Sequence, residues 1–192
     1  MIVIGLLGAI ALIVIAAINP IEQANRARDT RFKADGGQLV SAIDRYFAII
    51  SEFPWQTLTP AYTTDDAFGF VSAVDPEVGL CSAAGCIGNG AAFDGALITN
   101  NELKTEFRNR DFIQDATAVD EQLLIGKAIG SSSSVYACFI PLAKSTRDKA
   151  CAAGKVYTLS TSSRTALAAD AADCAADSTT WISAPQYVCI PE

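Results

Sequence analysis

The chain has 192 residues, enough for one globular domain with a sizeable core plus an appendage. Its net charge of -7, from 14 basic and 21 acidic residues, excludes a protein whose whole surface binds nucleic acid or anionic lipid, while a local basic patch stays open. Apolar residues make up 51% and charged residues 18%, an imbalance that one segment largely explains, since residues 1–21 contain no ionisable side chain.

This first segment predicts a helix of membrane-spanning length. Residues 2–18 are only Ile, Val, Leu, Ala and Gly. As a helix, residues 1–21 would extend about 31 Å, close to the thickness of one hydrocarbon core. A signal peptide would need a basic region before the apolar core and small residues at a cleavage site after it. A plain membrane anchor is the stronger competing interpretation.

Residues 22–53 are predicted to form an amphipathic continuation of the same helix. Apolar side chains at spacings of mostly three and four make one stripe that should cover a domain core: Phe32, Leu39, Val40, Ile43, Phe47 and Ile50. We expect a bend or local melting at Pro20 or at Gly36-Gly37, because proline removes a backbone donor and two glycines lower helix propensity by up to about 2 kcal/mol. Pro54 predicts the end of the helix.

The cysteines indicate the compartment of the remaining chain. Six lie beyond the apolar segment, at Cys81, Cys86, Cys138, Cys151, Cys174 and Cys189. Proximity in sequence favours the pairs Cys81–Cys86, Cys138–Cys151 and Cys174–Cys189. A zinc site is disfavoured, because the chain has no histidine and no closely spaced C-x-x-C pair. Disulfides place residues 54–192 in an oxidising, extracytoplasmic environment as a stapled globular head.

The positive-inside rule predicts the opposite orientation in the membrane. Arg26, Arg28, Arg31 and Lys33 closely follow the apolar segment and, taken alone, would place residues 22 onward in the cytoplasm. The rule compares both flanks of a span, and a basic leader removed from before Met1 would reverse the comparison. We therefore base the predicted orientation on the cysteines, which place the part of the chain after the apolar segment outside the cytoplasm.

Within the head, little regular structure is expected before residue 96. Residues 135–142, 155–160 and 186–190 are rich in β-branched and aromatic side chains, which predicts a small antiparallel sheet. The stripe on the long helix would cover one face of it, giving an α+β fold.

The residues that catalysis usually needs are missing. No histidine is present to act as a general base, and no Gly-rich phosphate loop follows a predicted strand. The cysteines are better explained as disulfides than as nucleophiles. We therefore expect no enzymatic activity, no cofactor and no metal site.

The order of these features resembles the type IV pilins. The tightest resemblance covers residues 1–54, where ALIVIAAINPIEQANRARDTRFKADGGQLVSAIDRYF is similar to the proline-kinked N-terminal helix of bacterial pilins. Pro20 matches the helix-breaking proline of that family, and Cys174 with Cys189 resembles the pair that closes its terminal loop. Beyond residue 55 only the architecture is similar: a small sheet and a cysteine-closed loop.

The resemblance implies a pilin fold and a structural role. Such subunits leave the cytoplasmic membrane to form a helical homopolymer on the cell surface, which supports adhesion, twitching motility or DNA uptake. The implied partners are membrane lipid before assembly, a prepilin peptidase that would free Met1, where N-methylation is expected, a platform protein, an assembly ATPase, and a host or surface receptor. Gly5, Gly8 and the alanines of the apolar segment would allow close packing in the filament core.

One position departs from the family. Mature pilins usually carry a glutamate as their fifth residue, and here the fifth residue is Gly5. Either residues precede Met1, or this subunit assembles without that glutamate. Two further functions stay open: a pseudopilin of a type II secretion-like system, and a monomeric, membrane-tethered extracellular domain.

Overall fold

A computed structural model describes residues 3–5, 7, 8, 19–58, 68–82, 86, 91–114, 118–128, 130, 133–159, 164–166 and 174–191. The predicted α+β class is confirmed, because a long helix lies against a small antiparallel sheet. The helices are α1 (Pro20–Ile50), α2 (Pro54–Leu58), α3 (Ala96–Thr99), α4 (Asp111–Gln114), α5 (Lys144–Ala152) and α6 (Ser178–Ser183). The strands are β1 (Phe68–Ser72), β2 (Leu124–Lys127), β3 (Val135–Phe139), β4 (Tyr157–Leu159), β5 (Arg164–Ala166) and β6 (Val188–Ile190).

Local sequence explains both ends of α1. Asn19 is extended, and its side chain accepts a hydrogen bond from the N–H of Glu22 at 3.2 Å. Pro20 occupies the first helical position, where a missing N–H costs nothing. The helix is interrupted at Pro20 as expected, but more completely than a bend: Asn19 is extended and α1 begins at Pro20, so the predicted continuous helix does not run through Asn19. At the other end, Ser51 adopts a left-handed conformation with φ 64° and donates its N–H to the Phe47 carbonyl.

The interruption expected at Gly36-Gly37 is absent, because α1 runs through both residues. Gly36 lies against the sheet, where an added Cβ would be 3.2 Å from the Cβ of Ala137 and 3.2 Å from Cδ1 of Ile190. The missing side chain lets helix and sheet approach closely, and this packing offsets the weak helix propensity of glycine. Flexibility at the two glycines stays a prediction.

The main sheet has the strand order β1-β2-β3-β6, with every neighbouring pair antiparallel. Two of the three predicted strand segments, which become β3 and β6, are neighbours in it as expected. The segment predicted at 155–160 contains β4, which pairs with β5 in a separate two-stranded ribbon. A single bridge between Tyr157 and Tyr187 connects this ribbon to the residue before β6. Strands β1 and β2 were not predicted.

Two hydrophobic clusters flank the sheet. On the α1 side, Phe32, Leu39 and Ile43 pack with Ile125 and Phe139, so the predicted stripe does cover a core. Ile50, at the end of that stripe, is instead 42% exposed. The second cluster contains Cys138, Ile140, Val156, Trp181 and Val188.

Stacked rings close the C-terminal end of α1. Centroids are separated by 4.3 Å between Phe47 and Phe53, by 4.7 Å between Phe53 and Trp55, and by 4.2 Å between Trp55 and Phe68. The rings of Phe53, Trp55 and Phe68 are buried. Aromatic stacking therefore packs the C-terminal end of α1 against α2 and β1.

The six cysteines form three disulfides, Cys81–Cys86, Cys138–Cys189 and Cys151–Cys174. The first pair is the predicted one. The predicted pairs Cys138–Cys151 and Cys174–Cys189 are wrong, including the terminal-loop pair implied by the family resemblance. The antiparallel register places Cys138 of β3 directly opposite Cys189 of β6, so the sheet joins cysteines that are 51 residues apart. Cys151 of α5 is left to pair with Cys174.

No helix among the described residues combines the length and the apolarity required to cross a bilayer. Met1 and most of the apolar segment of residues 1–21 lie outside the described residues.

Candidate functional site

The described part of the N-terminal segment presents apolar side chains to its surroundings. Residues 3–5, 7 and 8 are helical. Val3, Ile4 and Leu7 are 70%, 75% and 63% exposed, and Ile21 at the start of α1 is 71% exposed. Each such side chain gains roughly 1.5–3 kcal/mol when it is removed from water. Scaled by their exposed fractions, these four side chains would favour burial against another apolar surface by about 4–8 kcal/mol.

Gly5 and Gly8, for which the sequence analysis predicts a role in filament assembly, lie in this segment. No heavy atom falls within 4 Å of a Cβ added at either glycine. The surface beside both is open to another molecule, and the absence of a side chain permits close approach of a second helix.

Carboxylates of α1 attach the start of α5 to the long helix. Glu22 accepts the N–H groups of Lys144 and Ser145 at 3.0 and 3.2 Å. Ala143, the residue that precedes α5, has no side chain able to cap the helix. Glu22 therefore satisfies backbone donors that a local capping residue would otherwise bind.

Asp29 of α1 binds the two residues that precede Lys144 in the chain. Its two oxygens accept the N–H groups of Leu142 and Ala143 at 3.1 and 3.0 Å, and the residue is 1% exposed. Arg28 beside it donates to the carbonyl oxygens of Ile140 and Asp120. Charged groups on one turn of α1 thus hold two separate segments of the head.

The pKa values of the two carboxyl groups are shifted in opposite directions. Burial raises the pKa of Asp29, against the opposing effect of the N–H donors of Ala143 and Leu142. For Glu22, desolvation is the largest single contribution and acts upward, but the N–H donors of Lys144 and Ser145 together with Arg26 outweigh it and lower its pKa. Glu22 therefore binds α5 most strongly as the carboxylate.

A groove of about 590 Å³ lies beside this attachment, between α1 and α5. Cationic and hydroxyl side chains dominate its lining: Arg26, Lys33, Lys149, Lys155, Thr30, Ser145 and Thr146. Sequence reasoning missed this groove, because its two walls are more than 100 residues apart in the chain. The only signal in the sequence was the basic run after the apolar segment, which we interpreted as a topology signal.

The structure does not bring the other predicted site residues together with this groove. Gly36 is packed against the sheet, Gly37 is open on one side of α1, and the disulfides lie within the head. Among the described residues, no group of three or more Cys, Asp or Glu side chains is placed to hold a metal ion. Comparison with models of protein families, with curated proteins and with solved structures finds no match to this chain.

Proposed function

We propose that this protein is the structural subunit of a type IV pilin-like filament, with a pilin fold, and that it polymerises through its apolar N-terminal helix. The observation that carries the proposal is the contrast between the two parts of the chain. The head closes its own core and is stapled by disulfides, whereas Val3, Ile4 and Leu7 of the N-terminal segment are exposed. A surface of this kind requires a second molecule to cover it.

The membrane and the core of a filament can both cover these apolar side chains, at a similar free energy. Lipid tails are as apolar as the interior of a helical bundle, so transfer from membrane to filament core has little hydrophobic driving force. Close packing at Gly5 and Gly8 then favours the filament. Contacts that join different faces of successive copies leave an open end for the next subunit, which produces a helical fibre.

The proposal implies where the subunit is located before and after assembly. It resides in the cytoplasmic membrane before assembly, with residues 54–192 outside the cytoplasm, and then joins the surface filament. A prepilin peptidase, a platform protein and an assembly ATPase would process and assemble it. The attachment of the head to α1 through Glu22 and Asp29 supports this role, since it ties the long helix to the segment between β3 and α5.

The first experiment is to shear surface material from cells that produce the protein, image it by negative stain and sequence the subunit N-terminus by mass spectrometry. Long fibres whose subunit begins with an N-methylated residue would support the proposal. Short periplasmic rods would favour the pseudopilin. An unprocessed protein that stays in the membrane fraction without fibres would refute assembly and leave the tethered extracellular domain.

A second experiment tests the packing argument. Gly8→Leu should lower fibre yield while the head stays folded, because the added side chain separates helices at a close contact. Gly8→Ala adds a single methyl group and is the matched control, with an intermediate yield expected. Head folding is checked by protease resistance under non-reducing conditions. Normal fibre yield from Gly8→Leu would contradict the packing argument.

A further inference from the structure

We propose that the groove between α1 and α5 binds a compact anionic group, a carboxylate or a phosphate, carried on a hydroxylated sugar. The proposal rests on the lining of this groove and does not depend on filament assembly.

The first support is a local reversal of charge. Among the residues that the structure describes, the groove is lined by four cations (Arg26, Lys33, Lys149 and Lys155) and one carboxylate (Asp29), so 4 − 1 gives a lining charge of +3. The whole chain carries -7. The side chain of Asp29 is only 2% exposed, and both its oxygens already accept backbone N–H groups. The charge that faces a ligand in the groove is therefore positive.

The second support is the state of these cations. Lys149 and Lys155 form no ion pair within the described part of the chain. Arg26 contacts Glu22 through Nε at 3.1 Å, and its side chain remains 50% exposed. Because the ammonium groups of Lys149 and Lys155 lie in one concave site, they attract an anion more strongly than the same two groups dispersed over a surface.

The third support is the chemistry between the charges. Thr30, Ser145 and Thr146 bring hydroxyl groups to the same groove, while Ala150 and Ala153 leave room beside them. Thr30 already donates its hydroxyl to the Arg26 carbonyl at 2.7 Å, and Thr146 forms a hydrogen bond with Asp29, so these two oxygens are placed to accept from the hydroxyl groups of a sugar. The volume of about 590 Å³ is within the usual range of small-ligand sites.

The same observations disfavour nucleic acid. Duplex binding depends on many phosphate contacts spread along the helix, whereas these cations face one groove. Beyond a Debye length of about 8 Å at physiological ionic strength the local charge is screened, and a long polyanion would also meet the acidic remainder of the surface. A compact anion experiences the positive groove alone.

The test uses the full chain, ¹⁵N-labelled, in a zwitterionic detergent without a sugar head group. Glucuronate and glucose 6-phosphate are titrated separately, with glucose as the neutral comparison, and amide shifts of Thr30, Ser145 and Thr146 are followed. We expect saturable shifts with at least one of the two anions and none with glucose. The anion with the lower Kd identifies the carboxylate or the phosphate as the preferred group.

The variants are Lys149→Gln and Lys155→Gln, each expected to weaken binding by about twofold to fivefold, and the double variant by roughly tenfold. The matched control is Lys104→Gln, which removes the same charge outside the groove. Unchanged spectra of the variants in the absence of ligand report an intact fold. Absence of saturable shifts with both anions, equal binding of glucose, or equal weakening by Lys104→Gln would overturn the proposal. Tighter binding of a short DNA duplex than of either sugar would assign the groove to nucleic acid and overturn it too.

Discussion

The adjacent glycines of α1 give a sensitive test of how the helix meets the sheet, because one is packed and the other is open. A Cβ added at Gly37 would have no heavy atom within 4 Å. A Cβ added at Gly36 would lie 3.2 Å from the Cβ of Ala137 and 3.2 Å from Cδ1 of Ile190. Alanine at the two positions gains the same helix propensity, so the difference between the two variants isolates the packing against the sheet.

The expected magnitudes follow from these contacts. Gly37→Ala should raise the free energy of unfolding by about 1 kcal/mol, the propensity difference between alanine and glycine. At Gly36 that gain is opposed by crowding against Ala137, which is fully buried on β3, an interior strand of the sheet. Gly36→Ala should therefore be less stable than Gly37→Ala, by about 1 kcal/mol or more. Gly36→Leu should be less stable than the wild type by roughly 1–3 kcal/mol.

Thermal and urea unfolding of the full chain in detergent, with disulfides intact, measures these differences. The stabilisation expected for Gly37→Ala corresponds to a rise in Tm of about 2–4 °C for a protein of this size. Gly37→Leu is the size-matched control for Gly36→Leu and should cost far less. Equal stability of Gly36→Leu and Gly37→Leu would refute the close approach of α1 to the sheet.

The disulfides should differ in their contribution to stability, since loop entropy grows with the separation of the joined residues. Replacing Cys138 and Cys189, 51 residues apart, by serine should lower the free energy of unfolding by about 4 kcal/mol, against about 2 kcal/mol for Cys81 and Cys86, which are 5 apart; equal losses in urea unfolding would contradict this order. Glu22 has a pKa lowered from 4.5, so its stabilisation is present above that pH and is lost as the pH falls through the folded-state value. The difference in unfolding free energy between wild type and Glu22→Gln should accordingly shrink from about pH 6 to about pH 3, and a constant difference would exclude the carboxylate as the cap of α5.

Apolar residues at helical spacing, and a proline that interrupts a helix, made α1 predictable. The stripe containing Phe32, Leu39 and Ile43 identified the buried face, and Pro20 identified the place where the helical pattern is interrupted. The apolar segment of residues 1–21 likewise follows from composition alone, and with it the proposal of a filament core. Short strands β1 and β2 lacked such a signal, because a strand of four or five residues shows little periodicity.

The sequence by itself determined which residues are apolar, that a long amphipathic helix follows the apolar segment and which side of it is buried, because these depend on neighbours within a few turns. Only the tertiary structure decided the disulfide partners, since the register between β3 and β6 places Cys138 opposite Cys189. It also decided that α1 continues through Gly36, where the sheet occupies the space of the missing side chain. The groove was decided in the same way, because Arg26 and Lys149 become neighbours only when α5 docks on α1 through Glu22 and Asp29. Contacts across such long separations depend on the whole fold, and no local pattern encodes them.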